Sequence, residues 1–259
     1  LQECDIVKEL NGYSYEDLPL SLKIRLKRAF VRVEVVRKGS DKKFRYHMFK
    51  RLNTGGTELT PQQIRNCVIR MLDSTFIDYT IKLSKNEDFL QCINKISEDQ
   101  KLGSFDQELV LRFFALKNYR EKFVHDISDF LTDYMESVTD SEVSGVVFDY
   151  AQEEIAFNKT FKLLNLALGE RVFGRWGIGG AQANFAVYQF ESIVSSIQSV
   201  LYKIDLNDKR HIEHVRVALM NLKQDKDFIS QTTGGGKNSK GALARRIEIA
   251  DKFFKGMPL

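Results

Sequence analysis

The segment from Phe49 to Asn66 contains residue types that suit the binding of an anion. Gly55 and Gly56 let the backbone come close to another group, because glycine has no Cβ and adopts left-handed conformations without strain. Arg51 precedes this glycine pair and Arg65 follows it, so two guanidinium groups flank the turn. Such groups bind phosphate through charge-assisted hydrogen bonds. The pattern predicts either an anion site or a tight corner between two helices with a structural role alone.

A second glycine-rich segment lies at 234–239, where three glycines precede Lys237. It is not a P-loop, because Asn238 follows the lysine and Gln231 stands where the first glycine of that motif should be. A glycine turn before a helix capped by Asn238 or Ser239 could still bind phosphate through backbone N–H groups and the helix dipole. The alternative is a flexible loop in front of a basic helix.

Other catalytic and metal-binding patterns fail on inspection. His211 and His214 share one helical face, but two imidazoles without a third ligand make a poor zinc site, so we expect ordinary histidines and no metal. The Gly177–Gly180 stretch is not a dinucleotide fingerprint, because Gln182 breaks the pattern and no strand is predicted before it. No H-E-x-x-H or Gly-x-Ser-x-Gly sequence occurs. The catalytic residues, if any exist, stay unknown at this level.

Charges are distributed unevenly along the chain, although the net charge is only +4. Residues 21–45 contain ten Lys or Arg against two acids, whereas residues 126–154 contain nine acids and no Lys or Arg. Clustered positive charge neutralises phosphates and favours nucleic-acid binding. The alternatives are solvated helix faces, or pairing of the basic segment with the acidic one. The candidate nucleic-acid contacts are Lys23, Lys27, Arg28, Lys42, Lys43, Lys237, Arg245 and Arg246.

The composition favours a mainly helical globular protein. Three prolines and 43% hydrophobic residues in 259 suit long helices and a sizeable core better than an all-β sandwich. No apolar run approaches the length that crosses a bilayer and no secretory signal opens the chain, so we expect no membrane association and a cytoplasmic location. Three cysteines without a C-x-x-C pair argue against a disulfide framework and a zinc finger.

Periodicity and capping patterns predict a small α/β part followed by a long helical region, with a boundary near residue 100. Thr60 and Gln63 form a capping box around Pro61, which is favoured at the first helical position. The predicted elements are a helix at 20–28, a strand at 30–37, a short helix at 43–52, helices opened by the capping boxes Thr60/Gln63, Ser104/Gln107 and Thr139/Glu142, and helices at 181–202, 207–222 and 240–254.

The segment 49–66 closely resembles the signature F-x-R-x-N-T/S-G-G-x-x-L-x-x-x-E/Q-x-R-N of the ParB-like N-terminal domain of GmrSD-type, modification-dependent restriction proteins. That family also includes phosphorothioate-sensing defence proteins. The matching positions are Phe49, Arg51, Asn53, Thr54, Gly55, Gly56, Leu59, Gln63, Arg65 and Asn66. The residues before the motif resemble the family's lead-in, and the resemblance covers about residues 6–75.

The resemblance implies the C-terminal portion of a ParB/sulfiredoxin-like core within 1–100 and a helical domain over 101–259. It also implies part of a nucleotide-binding module that binds or hydrolyses a nucleoside triphosphate with a divalent ion and controls a nuclease in prokaryotic antiviral defence. The alternative is a non-catalytic helical module that binds DNA or a partner protein. The implied nucleotide or phosphate contacts are Phe49, Arg51, Asn53, Thr54, Gly55, Gly56, Arg65 and Asn66.

The same resemblance limits the activity expected of this chain by itself. The family's Asp-Gly-Gln-Gln-Arg run is not in the sequence and is expected upstream of Leu1. None of the four histidines begins the His-x-x-x-Pro pattern of a His-Asn-His nuclease. The expected partners are therefore DNA, the upstream portion of the protein or a second chain, and a nuclease, and enzymatic activity of this chain alone is uncertain.

Overall fold

The structure is a computed structural model that describes Cys4, residues 7–30, Val33, Phe44, Met48, residues 59–70 and residues 73–258. It divides into two compact units, residues 1–41 and residues 42–259. The predicted strand at 30–37, the short helix at 43–52 and the glycine turn at 53–56 lie almost wholly outside the described residues.

In the first unit, a single turn of 3-10 helix at Lys8–Leu10 precedes helix α1, which spans Leu20–Lys27. The alternation of apolar residues in this stretch also fitted a strand, and the helix is confirmed. Pro19 fixes φ at −53° immediately before the helix, and its carbonyl accepts the first hydrogen bonds from Leu22 and Lys23. No residue of α1 is buried.

The second unit consists mainly of helices. In chain order these are α2 (Pro61–Arg70), α3 (Thr75–Leu83), α4 (Glu87–Cys92), α5 (Glu98–Leu102), α6 (Phe105–Asn118), α7 (Ile127–Thr139), α8 (Ser141–Ser144), α9 (Tyr150–Leu168), α10 (Val187–Ile197), α11 (Lys209–Gln224), α12 (Lys226–Thr232) and α13 (Lys240–Lys255). Between α9 and α10 the chain forms a small antiparallel hairpin of β1 (Trp176–Gly177) and β2 (Gly180–Ala181).

Helix α6 lies at the centre of this unit, because all eight residues of 109–116 are buried. It packs against α2, α3, α5, α7 and α10. Phe113 meets Phe157 of α9 edge-to-face, with ring centroids 5.2 Å apart. Burying each such phenylalanine stabilises the fold by about 1.5–3 kcal/mol. Within 109–116 every residue except Arg112 is apolar, which explains why this part of α6 is buried on all sides.

The capping box predicted at the start of α2 is confirmed. Thr60 N donates to Gln63 Oε1 at 2.9 Å, and Gln63 N donates to Thr60 Oγ1 at 3.3 Å. The same two side chains also donate to the Leu102 and Gly103 carbonyls, at 2.9 Å and 2.6 Å. The start of α2 is therefore fixed both internally and to the turn between α5 and α6.

The capping box predicted at Ser104 and Gln107 is wrong, although the helix exists. Ser104 has φ +61°, in the left-handed region, and its side chain caps nothing in α6. The capping box in this region belongs to α5 instead, between Ser97 and Gln100. Gln107 is used differently, because its Oε1 accepts a hydrogen bond from Asn66 Nδ2 at 2.6 Å.

The predicted start of a helix at Thr139 is also wrong. Thr139 is the last residue of α7, and its hydroxyl donates to the Met135 carbonyl at 2.8 Å instead of capping a new helix. The long helix begins at Tyr150, where Asp149 accepts hydrogen bonds from the first backbone N–H groups. The N-cap of this helix is therefore Asp149 and not Thr139.

The remaining helices agree more closely with prediction. The helices predicted at 207–222 and 240–254 correspond to α11 and α13. The helix predicted at 181–202 is shorter, because residues 180–181 belong to the hairpin and the helix spans Val187–Ile197.

The mainly helical fold class is confirmed, whereas the ParB/sulfiredoxin-like core stays a prediction because the described residues contain no more than the two-stranded hairpin. The division near residue 100 also stays a prediction, and helices on both sides of it contribute to one hydrophobic core. Within the described residues, no helix combines the length and apolar character needed to cross a membrane.

Candidate functional site

Helix α2 contains the described end of the segment that resembles the restriction-protein signature. Arg65 lies on this helix with 1% of its surface exposed. Its Nη2 is 2.7 Å from Glu108 Oε2 on α6, and its Nε donates to Gln62 Oε1 at 2.9 Å. Its Nη1 donates to the backbone and side-chain oxygens of Ser128 on α7. Arg65 therefore joins three helices from inside the protein.

Asn66 makes a second connection at the same place. Its Oδ1 accepts from Gln62 Nε2 at 2.9 Å, and its Nδ2 donates to Gln107 Oε1 at 2.6 Å. Gln62, Arg65 and Asn66 thus form a continuous side-chain network from α2 to α6. Arg65 and Asn66, the last two residues of the signature, therefore both have protein partners within hydrogen-bond distance.

The Arg65–Glu108 pair is the first step of a longer series, here called the charge ladder: Arg65, Glu108, Arg112, Glu191 and Arg246. Arg112 Nη2 lies 2.7 Å from Glu108 Oε1, one turn away on α6. Arg112 also pairs with Glu191 on α10, and Glu191 pairs with Arg246 on α13. The ladder alternates in sign and runs from α2 through the central helix to the last helix.

Burial makes the alternation of sign necessary. Burial by itself lowers the pKa of Arg112, but the carboxylates of Glu191 and Glu108 outweigh it and the net pKa is raised. Arg246 is 2% exposed and its guanidinium also lies over the Tyr188 ring, 4.6 Å from the centroid. A buried guanidinium without such partners would carry a large desolvation cost.

The ladder ends beneath the glycine-rich loop. Arg246 Nη1 donates to the Lys237 carbonyl at 2.8 Å. The Lys237 ammonium folds back onto the carbonyls of Ser230 and Thr233, at the end of α12. Ser239 caps α13 by accepting from Ala242 N, so the predicted helix start is confirmed. In this arrangement Lys237 satisfies helix carbonyls instead of extending into solvent.

No protein-family model, no curated protein and no solved structure matches this chain.

The predicted nucleotide contacts divide into two groups. Arg65 and Asn66 lie in the buried network already described. The other six lie outside the described residues: Phe49, Arg51, Asn53, Thr54, Gly55 and Gly56. Arg65 would have to leave Glu108 and Gln62 to bind a phosphate, so its geometry corresponds to an anchoring residue.

The predicted nucleic-acid contacts also differ in their accessibility. Lys27 and Arg28 are exposed at the end of α1, whereas Lys23 donates to the Glu16 carbonyl at 2.8 Å. Arg245 is exposed on α13, but its neighbour Arg246 is buried in the charge ladder and does not reach the surface. Lys42 and Lys43 lie outside the described residues.

His211 of the histidine pair is used locally, because its Nδ1 accepts a hydrogen bond from Asp205 N at 3.0 Å. Across the described part of the chain, no group of three or more metal-binding side chains is found.

Lys223 is a buried titratable residue that the sequence patterns did not single out. It is fully buried on α11, and its Nζ donates to the Gly174 carbonyl at 2.6 Å. Burial lowers the pKa of Lys223 from its ordinary value of 10.5 to about 7. The signal was its place within the apolar face of α11, beside the buried Leu222 and Leu219.

Proposed function

We propose that this chain is part of a nucleotide-binding, ParB-like module of a prokaryotic DNA-restriction or antiviral defence protein. Segment 49–56 holds the phosphates of a nucleoside triphosphate with its divalent ion, and the helical region connects that site to a nuclease partner. The proposal begins with the ten-residue match to the GmrSD-type signature.

The observation that carries the proposal is the attachment of α2 to α6. Arg65 and Asn66 close the signature, and both contact α6, through Glu108 at 2.7 Å and Gln107 at 2.6 Å. In the proposed module these two residues would attach the end of the signature to the helical region. The glycine segment lies immediately before the helix that they hold.

This attachment supplies a route for coupling. A change in segment 49–56 on nucleotide binding would act on α2, and α2 cannot tilt without disturbing the buried Arg65–Glu108 pair. Glu108 belongs to the charge ladder, which continues to α10 and α13. The helical region would then respond as a unit, in the manner that nuclease control requires.

The test is nucleotide binding by calorimetry in the full-length protein. Arg51→Ala is expected to weaken binding by roughly 1.5–3 kcal/mol if Arg51 makes a charge-assisted hydrogen bond to phosphate. Arg70→Ala is the matched control, because Arg70 is half-exposed on α2 and pairs with the exposed Asp78. Unchanged affinity in a folded Arg51 variant would favour the structural-corner interpretation of the glycine turn.

The second candidate function is that of a non-catalytic module that binds nucleic acid through the basic segment 21–45. It is favoured by the exposure of Lys27 and Arg28 on a helix that buries none of its residues. If about five phosphates are neutralised, log K falls with log salt with a slope of roughly −4 to −5. Filter binding at two salt concentrations measures this slope, and binding that ignores salt would exclude the role.

A further inference from the structure

The hairpin between α9 and α10 projects a single aliphatic side chain from a glycine-rich turn. Gly177 pairs with Gly180, so Ile178 and Gly179 form a two-residue turn. Gly179 has φ +87° and Gly180 has φ +119°, conformations that other residues rarely adopt. The turn therefore depends on its glycines, whereas the tip position, Ile178, carries a large apolar side chain.

The two arms of the hairpin lie very close together at its base. A Cβ at Gly174 would lie 1.7 Å from the Gln182 carbonyl oxygen, so the two arms approach nearer than any side chain allows. Gln182 N donates to the Arg175 carbonyl at 2.9 Å, and buried Lys223 donates to the Gly174 carbonyl at 2.6 Å. These contacts fix the direction in which the tip points.

The tip is apolar, and the residues near it in sequence include two arginines. Ile178 is fully exposed. Residues 171–190 contain Arg171 and Arg175 and no acid. Both arginines are exposed, and Arg175 forms no ion pair with any residue that the structure describes. The preceding acid, Glu170, pairs with Lys95 at 3.0 Å, and it also lies close enough to Arg171 to feel its charge.

A groove of about 420 Å³ runs along the same hairpin, lined by Arg171 and by residues 178–184. Its lining residues include two glycines, the polar residues Gln182 and Asn184 and one arginine. Polar backbone and an arginine beside an apolar tip suit a polyanion that also presents flat apolar faces. Duplex DNA has both features, with phosphates outside and stacked bases inside.

We propose that the hairpin is a DNA-contacting wedge: Ile178 enters between two base pairs from the minor groove while Arg171 and Arg175 bind the flanking phosphates. The inference rests on the proposed function in one respect, that DNA is the partner. Apolar side chains at such positions unstack a base step and kink the duplex. Flexible pyrimidine–purine steps yield to insertion most readily.

The experiment measures binding of the full chain to a duplex that carries 2-aminopurine beside a central TA step. Insertion is expected to raise the fluorescence of the probe on binding. Ile178→Ser should abolish that rise and increase Kd roughly tenfold, the loss expected when an aliphatic side chain is no longer buried. Arg175→Gln should reduce the salt slope of log K by about one.

Val147→Ser is the matched control, because Val147 is a similarly exposed aliphatic residue that is not part of the hairpin. It should leave both the fluorescence change and the affinity as they are in the wild type. If the wild type binds the duplex and Ile178→Ser retains the fluorescence rise, the wedge is refuted and DNA as a partner stands. If the wild type does not bind DNA, the proposed DNA partner is refuted together with the wedge.

Discussion

Replacing Lys223 by methionine should change how the stability of the protein depends on pH. Lys223 is fully buried on α11, and no carboxylate among the described residues lies within ion-pair distance of it. Burial lowers its pKa from the ordinary value of 10.5 to about 7. This difference corresponds to about 5 kcal/mol of destabilisation of the charged form, fully expressed below the folded pKa.

The direction in which stability changes with pH follows from proton binding. Above about pH 7 the folded chain holds Lys223 as a neutral amine, while the unfolded chain keeps it protonated up to its ordinary pKa of 10.5. Because the unfolded state then binds one proton more, the free energy of unfolding rises with pH by about 1.4 kcal/mol per pH unit. Between pH 7 and pH 9 the expected gain is about 2 kcal/mol.

The assay is urea denaturation followed by circular dichroism at pH 7, 8 and 9, for the wild type and for Lys223→Met. The loss of the hydrogen bond to the Gly174 carbonyl lowers the stability of the variant equally at each pH, so it cancels when slopes are compared. Burial also raises the pKa of the Cys92 thiol, but that group is present in both proteins. Lys162→Met, on the exposed side of α9, is the control.

The wild type should gain stability relative to Lys223→Met as the pH rises. Its free energy of unfolding should change with pH in the same way as that of Lys162→Met. Parallel pH dependence in the wild type and Lys223→Met would refute the reasoning. It would mean that water reaches the Lys223 ammonium in the folded state, so that its pKa stays close to the ordinary value.

Two further variants test the charge ladder and the helix caps. Glu191→Gln leaves the guanidinium groups of Arg112 and Arg246 buried without their shared carboxylate, so denaturation should show a loss of about 3–5 kcal/mol in the free energy of unfolding. A loss below about 1 kcal/mol would mean that solvent screens the ladder. Ser97→Ala removes the capping box with Gln100 and should cost about 1 kcal/mol in the same assay, whereas an unchanged free energy of unfolding would show that the cap is redundant.

The sequence predicted correctly a helix start that depends on residues close together in the chain. The Thr60/Gln63 capping box around Pro61 is confirmed, because a cap depends only on residues three positions apart. The same pattern failed at Ser104, where the chain leaves α5 in a left-handed conformation that no i to i+3 spacing reveals. It failed at Thr139 because that threonine bonds backwards to its own helix.

The sequence could indicate which charged residues are buried, but not which of them form ion pairs with each other. Arg112 stands inside the apolar run of α6, and its i, i+4 spacing from Glu108 indicates a pair. Nothing in sequence spacing connects Arg112 to Glu191, which lies 79 residues later, or Glu191 to Arg246. These contacts depend on the packing of α10 between α6 and α13, which is set by the whole core.

Arg65 shows how the structure changes the interpretation of a signature residue. This arginine of the signature was expected to bind phosphate, yet it is 1% exposed and is paired with Glu108. Under the proposed function, removing Arg65 is expected to weaken nucleotide binding even if it touches no phosphate, because α2 would lose the Arg65–Glu108 link to α6. The two roles separate in a double variant: Arg65→Met with Glu108→Met replaces both members of the pair by apolar side chains, and Arg112 keeps Glu191 as its carboxylate. Recovery of nucleotide affinity in that double variant, with loss in Arg65→Met alone, is the result expected of an anchor, and loss in both is the result expected of a phosphate ligand.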